Sequence, residues 1–148
     1  MGERKVFNKK SPSENKATFI PLPSNALHYV HHDRISAEKL LLYGLIIDYY
    51  NVEEGFAFPS IEKLAVRYGK SPDTTSRHLD DLKAVGLIDF PEKGHYVPLT
   101  PLSEDEFYTE YPGANENYRK ALSRCNKRRA DAAERMRKWR QEKGYADN

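Results

Sequence analysis

Few residues in this sequence are arranged for covalent chemistry. The five histidines include one cluster, His28, His31 and His32, with a metal-like spacing. A structural zinc needs a closed set of four ligands. No cysteine or further histidine stands near enough in the chain to complete one, so these three read as surface or structural histidines. The single cysteine, Cys125, supports neither an intramolecular disulfide nor a cysteine-based zinc site. Adjacent acids such as Glu53-Glu54 and Asp80-Asp81 diverge on a helix instead of converging on a substrate. No phosphate-cradling loop, dinucleotide fingerprint or nucleophile elbow occurs. The expectation is a chain without enzymatic activity, cofactor or metal.

The chemistry these residue types do support is recognition of a polyanion. Residues 1–17 carry five Lys/Arg against two Asp/Glu, residues 118–148 eleven against four, and the stretch between them eight against sixteen. That places +3 and +7 on the two ends and -8 on the middle, a pattern of basic extensions on an acidic body. Inside the body, Asp73, Thr74, Ser76, Arg77 and His78 are the types that read base edges. Arginine donates two bonds to a guanine edge, and threonine bonds an edge or touches a thymine methyl. Asp73 either accepts from cytosine or favours a helix N-terminus electrostatically. Asp73 and Asp81, each four residues from Arg77, compete for its guanidinium. Such exposed pairs are worth only about 0.3–0.5 kcal/mol, less than a guanine or phosphate offers.

Around these lie the candidate phosphate contacts. Ser60 and Ser71 stand at helix starts, where they act as N-caps and where free N–H groups also grip phosphates. Lys63 and Lys70 are phosphate contacts or solvated surface. Lys93 and His95 belong to a hairpin whose tip would track the backbone or enter the minor groove.

The elements that must position these residues follow from periodicity. Residues 1–17 lack an apolar pattern and read as a flexible basic tail. Thr18 to Leu22 reads as a short edge strand, and Ser24 to Val30 as a helical turn. The first strong helix runs from Ser36 to Asn51, apolar nearly all round and therefore central and buried. Gly55 ends it, and Phe56-Ala57-Phe58 forms a very short strand. Ser60 caps a helix with the stripe Ile61, Leu64, Ala65, Tyr68. Gly69 makes the turn, and Ser71-Pro72 starts a second helix with Thr75, Leu79, Leu82 and Gly86 on one face. Leu87 to Phe90 and His95 to Leu99 are strands joined by Pro91-Glu92-Lys93-Gly94. Ser103 and Glu106 match a capping box in an acidic, proline-containing stretch. A last helix runs from Asn115 to about Gly144, with Tyr118, Leu122, Cys125, Arg129, Ala132, Met136 and Trp139 in a heptad-like stripe.

The fold class expected is mainly α with a small β-hairpin: a winged helix-turn-helix with a long C-terminal basic helix. The expected division is a flexible tail over 1–17, a winged-helix domain over 18–99, an acidic linker over 100–114 and a basic amphipathic helix over 115–148. Pro59-Ser60, Leu64-Ala65, Gly69, Ser71, Thr74, Arg77, Leu79, Leu82 and Gly86-Leu87-Ile88 resemble the winged helix-turn-helix of bacterial plasmid and phage replication initiators and DnaD-type primosomal proteins. The resemblance covers roughly residues 18–99. It implies that the helix after Gly69 reads duplex DNA, in replication initiation or its control. Lys70 stands where that family has a small aliphatic residue, and Thr75 where it has Val or Ile.

Two other functions stay open: a transcriptional repressor of the same fold, and a protein-interaction module of a replication complex. The basic helix also has open readings. It packs its stripe on a second copy to give a homodimer, folds back on its own domain, lies along DNA through residues such as Lys127, Arg128 and Arg135, or stays solvated. Dimerisation combined with non-specific DNA affinity is the favoured combination. The polar N-terminus, the single cysteine and the lack of a run of about 18 apolar residues point to a cytoplasmic bacterial protein, associated with nucleoid or plasmid and not with a membrane.

Overall fold

The computed structural model describes residues 3–4, 7, 10, 19–51, 56–57 and 59–145. Most of the basic tail, Thr18, Glu53-Glu54, Gly55 and Phe58 lie outside the described residues. The chain divides into two compact units, one of residues 1–27 and 37–101 and the other of residues 28–36 and 102–148.

The larger unit is built on helix α1, Ala37–Tyr49. Leu40, Leu42, Tyr43, Leu45 and Ile46 are buried on it, so the expected apolar cylinder is the central helix. Gly44 sits mid-helix, where glycine costs about 1 kcal/mol. A Cβ there would meet Ile20 Cδ1 at 3.1 Å and the Pro21 carbonyl oxygen at 3.6 Å, so the glycine gives room for the segment that crosses α1. That segment, Phe19 to Pro23, is irregular and not the expected edge strand. Pro21 and Pro23 lack the N–H groups a ladder requires.

Strands β1 (Tyr50–Asn51) and β2 (Phe56–Ala57) pair antiparallel, with Tyr50 opposite Ala57. Helices α2 (Ile61–Tyr68) and α3 (Pro72–Ala84) follow. Strands β3 (Ile88–Asp89) and β4 (Val97–Pro98) then form the wing hairpin, with Ile88 opposite Pro98. Ala57 and Tyr96 exchange backbone hydrogen bonds of 2.8 and 3.1 Å, which joins β2 to the wing. Leu64, Leu79, Leu82, Leu87, Ile88 and Tyr96 are buried with the α1 residues in one core. Tyr43 closes it by donating its hydroxyl to the Leu99 carbonyl at 2.6 Å.

The smaller unit is an aromatic cluster supporting two helices, α4 (Glu104–Glu110) and α5 (Pro112–Glu142). Ser103 caps α4, its hydroxyl accepting from the Glu106 N–H at 3.2 Å. Phe107 on α4 is fully buried and lies 4.3 Å from the Tyr29 ring. The three clustered histidines belong to this packing. His28 donates through Nε2 to the Leu102 carbonyl at 2.9 Å and meets Phe107 edge-on. His32 meets Tyr111 and His31 meets Tyr118 in the same way. Asn117 donates to the His31 carbonyl and to Asp33 Oδ1, both at 2.8 Å, fixing the first turns of α5. From Leu122 to Tyr145, every residue except the half-buried Glu134 is exposed.

The expected fold class is borne out: a mainly helical chain with a small antiparallel hairpin, a helix-turn-helix and a long C-terminal helix. Among the described residues, no helix is long and apolar enough to cross a membrane.

Candidate nucleic-acid interface

The α2–α3 pair is set by local chemistry. Ser60 Oγ accepts from the Lys63 N–H at 3.1 Å, and Ser71 Oγ accepts from the Thr74 N–H at the same distance. Both serines therefore satisfy helix N–H groups that would otherwise have no partner. Gly69 ends α2 at φ 76°, a left-handed conformation that a Cβ disfavours, and its N–H returns to the Ala65 carbonyl. Pro72 then occupies the first turn of α3.

Helix α3 buries Thr75, Leu79 and Leu82, which leaves Asp73, Arg77 and Asp80 exposed on the far side. Asp81, expected beside them, is half-buried and holds Lys39 of α1 at 3.0 Å. Arg77 donates from Nη2 to Thr74 Oγ1 at 3.1 Å, so the two expected base readers stand together. No carboxylate pairs with Arg77 among the described residues. His78 accepts at Nδ1 from the Tyr68 hydroxyl at 2.9 Å. Burial pushes the Tyr68 phenol up, while burial and then the Lys39 charge hold His78 below the ordinary histidine value. Both effects favour this neutral arrangement, which places His78 at the edge of the core. Thr75 is fully buried, and its hydroxyl has no hydrogen-bond partner among the described residues.

Several cations expected at phosphates are held by carboxylates. Lys70 pairs with Glu38 at 3.0 Å, which holds that carboxyl below its usual range. Lys93, in the wing turn, reaches Asp80 at 3.0 Å and the Ser76 carbonyl at 2.8 Å. The wing turn is thereby tied to the middle of α3. Lys63 stands over the Tyr49 ring at 5.8 Å, and His95 lies 3.5 Å from Glu92. Periodicity and motifs say little of the part α1 takes. Glu38, Lys39 and Asp48 each bind a charge on α2, α3 or the turn between them, Arg67 pairing with Asp48 at 2.8 Å. Only the acid–base complementarity of these segments could have signalled it.

On α5, Lys127, Arg128 and Arg135 are exposed, and none of them has a carboxylate partner among the described residues. Leu122, Met136 and Trp139 of the stripe are 43%, 52% and 48% exposed.

Residues 33–88, from just before α1 into β3, match the family model of a helix-turn-helix domain. A solved structure described as "Structure of MDR initiator" overlays with a TM-score of 0.48 and 16% identity, over 75% of this chain and 98% of that one. No curated protein matches the chain. The chain carries a helix-turn-helix domain with a wing, a DNA-binding fold.

Proposed function

We propose that this protein binds duplex DNA at specific sequences, in replication initiation or its control on a bacterial plasmid, phage or similar element. The observation that carries the reading is Arg77. It is exposed at the centre of the outward face of α3, hydrogen-bonded to Thr74 and without a carboxylate partner among the described residues, while the cations around it are held in place. Helix α3 enters the major groove. Arg77 and Thr74 contact base edges there, and Asp73, Ser76 and His78 shape the margins. Phosphates are gripped at the starts of α2 and α3, around Ser60, Lys63, Lys70 and Ser71, and by the wing at Lys93 and His95. Lys70 and Lys93 exchange an exposed carboxylate for a phosphate, a swap made easy by the small worth of surface pairs. Helix α5 supplies attraction through Lys127, Arg128 and Arg135. The chain performs no catalysis; it marks a site in the cytoplasm and recruits replication proteins.

The assignment to replication rests on the resemblance of residues 59–88 to initiator and primosomal domains. A repressor of the same fold would use the same contacts at a promoter. The acids Asp73 and Asp80 beside Arg77 favour a second reading, in which α3 docks a basic protein surface. Selection of bound duplexes from a random pool by the full chain separates these. A consensus containing a guanine whose preference is lost in Arg77→Ala supports DNA reading. A pool without consensus, or an Arg77→Ala variant that selects the same sequence equally well, sinks it.

A further inference from the structure

Helix α5 has a surface that reading of duplex sequence does not use. At about 100° per residue, Lys120, Arg124, Lys127, Arg128, Arg135 and Lys138 fall in one sector of roughly 100°, along a rise of roughly 27 Å. Asp131 and Glu142 are the acids in that sector. Of the six cations only Lys138 has a carboxylate close by among the described residues, Glu134 at 3.9 Å. The lower end of the sector opens into a groove of about 630 Å³, where Lys120 and Arg124 face His31 and Asp33. The nearby acid is already engaged, because Asn117 donates to Asp33. At the upper end, Trp139 adjoins Arg135 and Lys138. Its indole stacks on Tyr145 at 5.6 Å and 22°, and the two rings are 48% and 61% exposed.

We propose that this face of α5 binds single-stranded nucleic acid. The phosphates run along the cationic sector, and an unpaired base stacks on the Trp139–Tyr145 pair. A duplex offers phosphates but hides its base faces, so an exposed indole beside cations gains little from it. A row of cations with an aromatic platform at its end is what holds a strand of arbitrary sequence. A second copy is a poorer occupant of this face, because it would bring a like-charged sector against the first. The inference rests on the chain being a nucleic-acid-binding protein, but not on α3 reading a duplex, and either can fail alone. A protein with both surfaces would bind both a duplex site and an opened strand.

Trp139 is the only tryptophan, so intrinsic fluorescence of the full chain reports on this face. It is titrated with a 12-nucleotide oligothymidylate and with a blunt-ended duplex. The strand should quench Trp139 saturably, with a midpoint that rises steeply with salt, and the duplex should quench it little. By anisotropy, Trp139→Ala should weaken strand binding about tenfold and leave duplex binding within about twofold, with helicity unchanged. Arg77→Ala should be silent for the strand. Four outcomes overturn the proposal: no strand binding, strand binding without a change at Trp139, equal quenching by the duplex, or an emission shift that follows protein concentration alone. The last would assign Trp139 to an interface between copies.

Discussion

The winged unit and helix α5 are both rich in cations, and they use them in opposite ways. In the winged unit Lys39, Arg67, Lys70 and Lys93 each meet a carboxylate from another element within 3.0 Å. Those pairs link α1 to α2 and α3, and the wing to α3. On α5 only Arg137 and Lys138 have acidic partners among the described residues, both through Glu134. Charge in the first region fixes geometry; charge in the second remains open to a polyanion. The number of cations in a segment is therefore a poor guide to how many can meet a ligand. The acidity of the middle of the chain is also unevenly placed. Glu104, Asp105, Glu106, Glu110 and Glu116 lie on α4 and the start of α5, which leaves residues 37–101 with seven Lys/Arg against ten Asp/Glu. Residues 37–101, which carry α3, are only mildly acidic, and Arg77 has few like-signed neighbours to help it.

The two regions should differ most in stability. Leu79→Ala opens a cavity in the core under α3 and should cost about 2–5 kcal/mol in a denaturant titration. Met136→Ala on the exposed stripe should stay within about 0.5 kcal/mol. A large loss at Met136 would show that the stripe is covered in solution. Next in size is charge reversal on α5. Lys127→Glu with Arg128→Glu and Arg135→Glu should lower nucleic-acid affinity at low salt about 100-fold, and reduce the salt slope by about one for each phosphate no longer neutralised. Preference between duplex sequences should be unchanged, as measured by competition.

Smaller effects sharpen the winged side. Thr75→Val removes a buried hydroxyl without a partner and should raise stability by about 1 kcal/mol; a loss would mean the hydroxyl is satisfied in solution. For pH, both His78 and His32 are held below the ordinary histidine value, chiefly by burial. A group depressed on folding stabilises above its unfolded value and loses that contribution as pH falls through the folded one. Stability should therefore decline as pH drops below about 6.5, and the double variant His32→Phe with His78→Phe should flatten the decline. An unchanged slope would assign the acid sensitivity to other groups.

Much of the winged unit was legible because its signals are local. Ser60, Gly69 and Ser71-Pro72 act on backbone groups within four residues, and periodicity alone located the buried faces of α2 and α3. The misses mostly involve partners distant in the chain. Thr18 to Leu22 has the side chains of a strand, but Pro21 and Pro23 and the space above Gly44 make its described part, from Phe19, an irregular crossing. Helix α5 starts at Pro112, three residues before the expected Asn115, because proline is accommodated in a first helical turn. Spacing alone makes Asp81 a partner for Arg77, whereas Lys39 draws it toward α1 and leaves Asp80 outward. The histidine cluster gave no sign of its aromatic partners, which lie more than seventy residues away in the chain.

The central claim is that α3 selects DNA through Arg77 while other cations attract it. Its most direct test is a salt series of duplex binding for the wild type and Arg77→Ala, on a selected site and on a scrambled duplex. Arg77→Ala should lose about 1–3 kcal/mol on the selected site, nothing on the scrambled one, and keep nearly the same salt slope on both. An unchanged ratio between the two duplexes, or an equal loss on both, would contradict it.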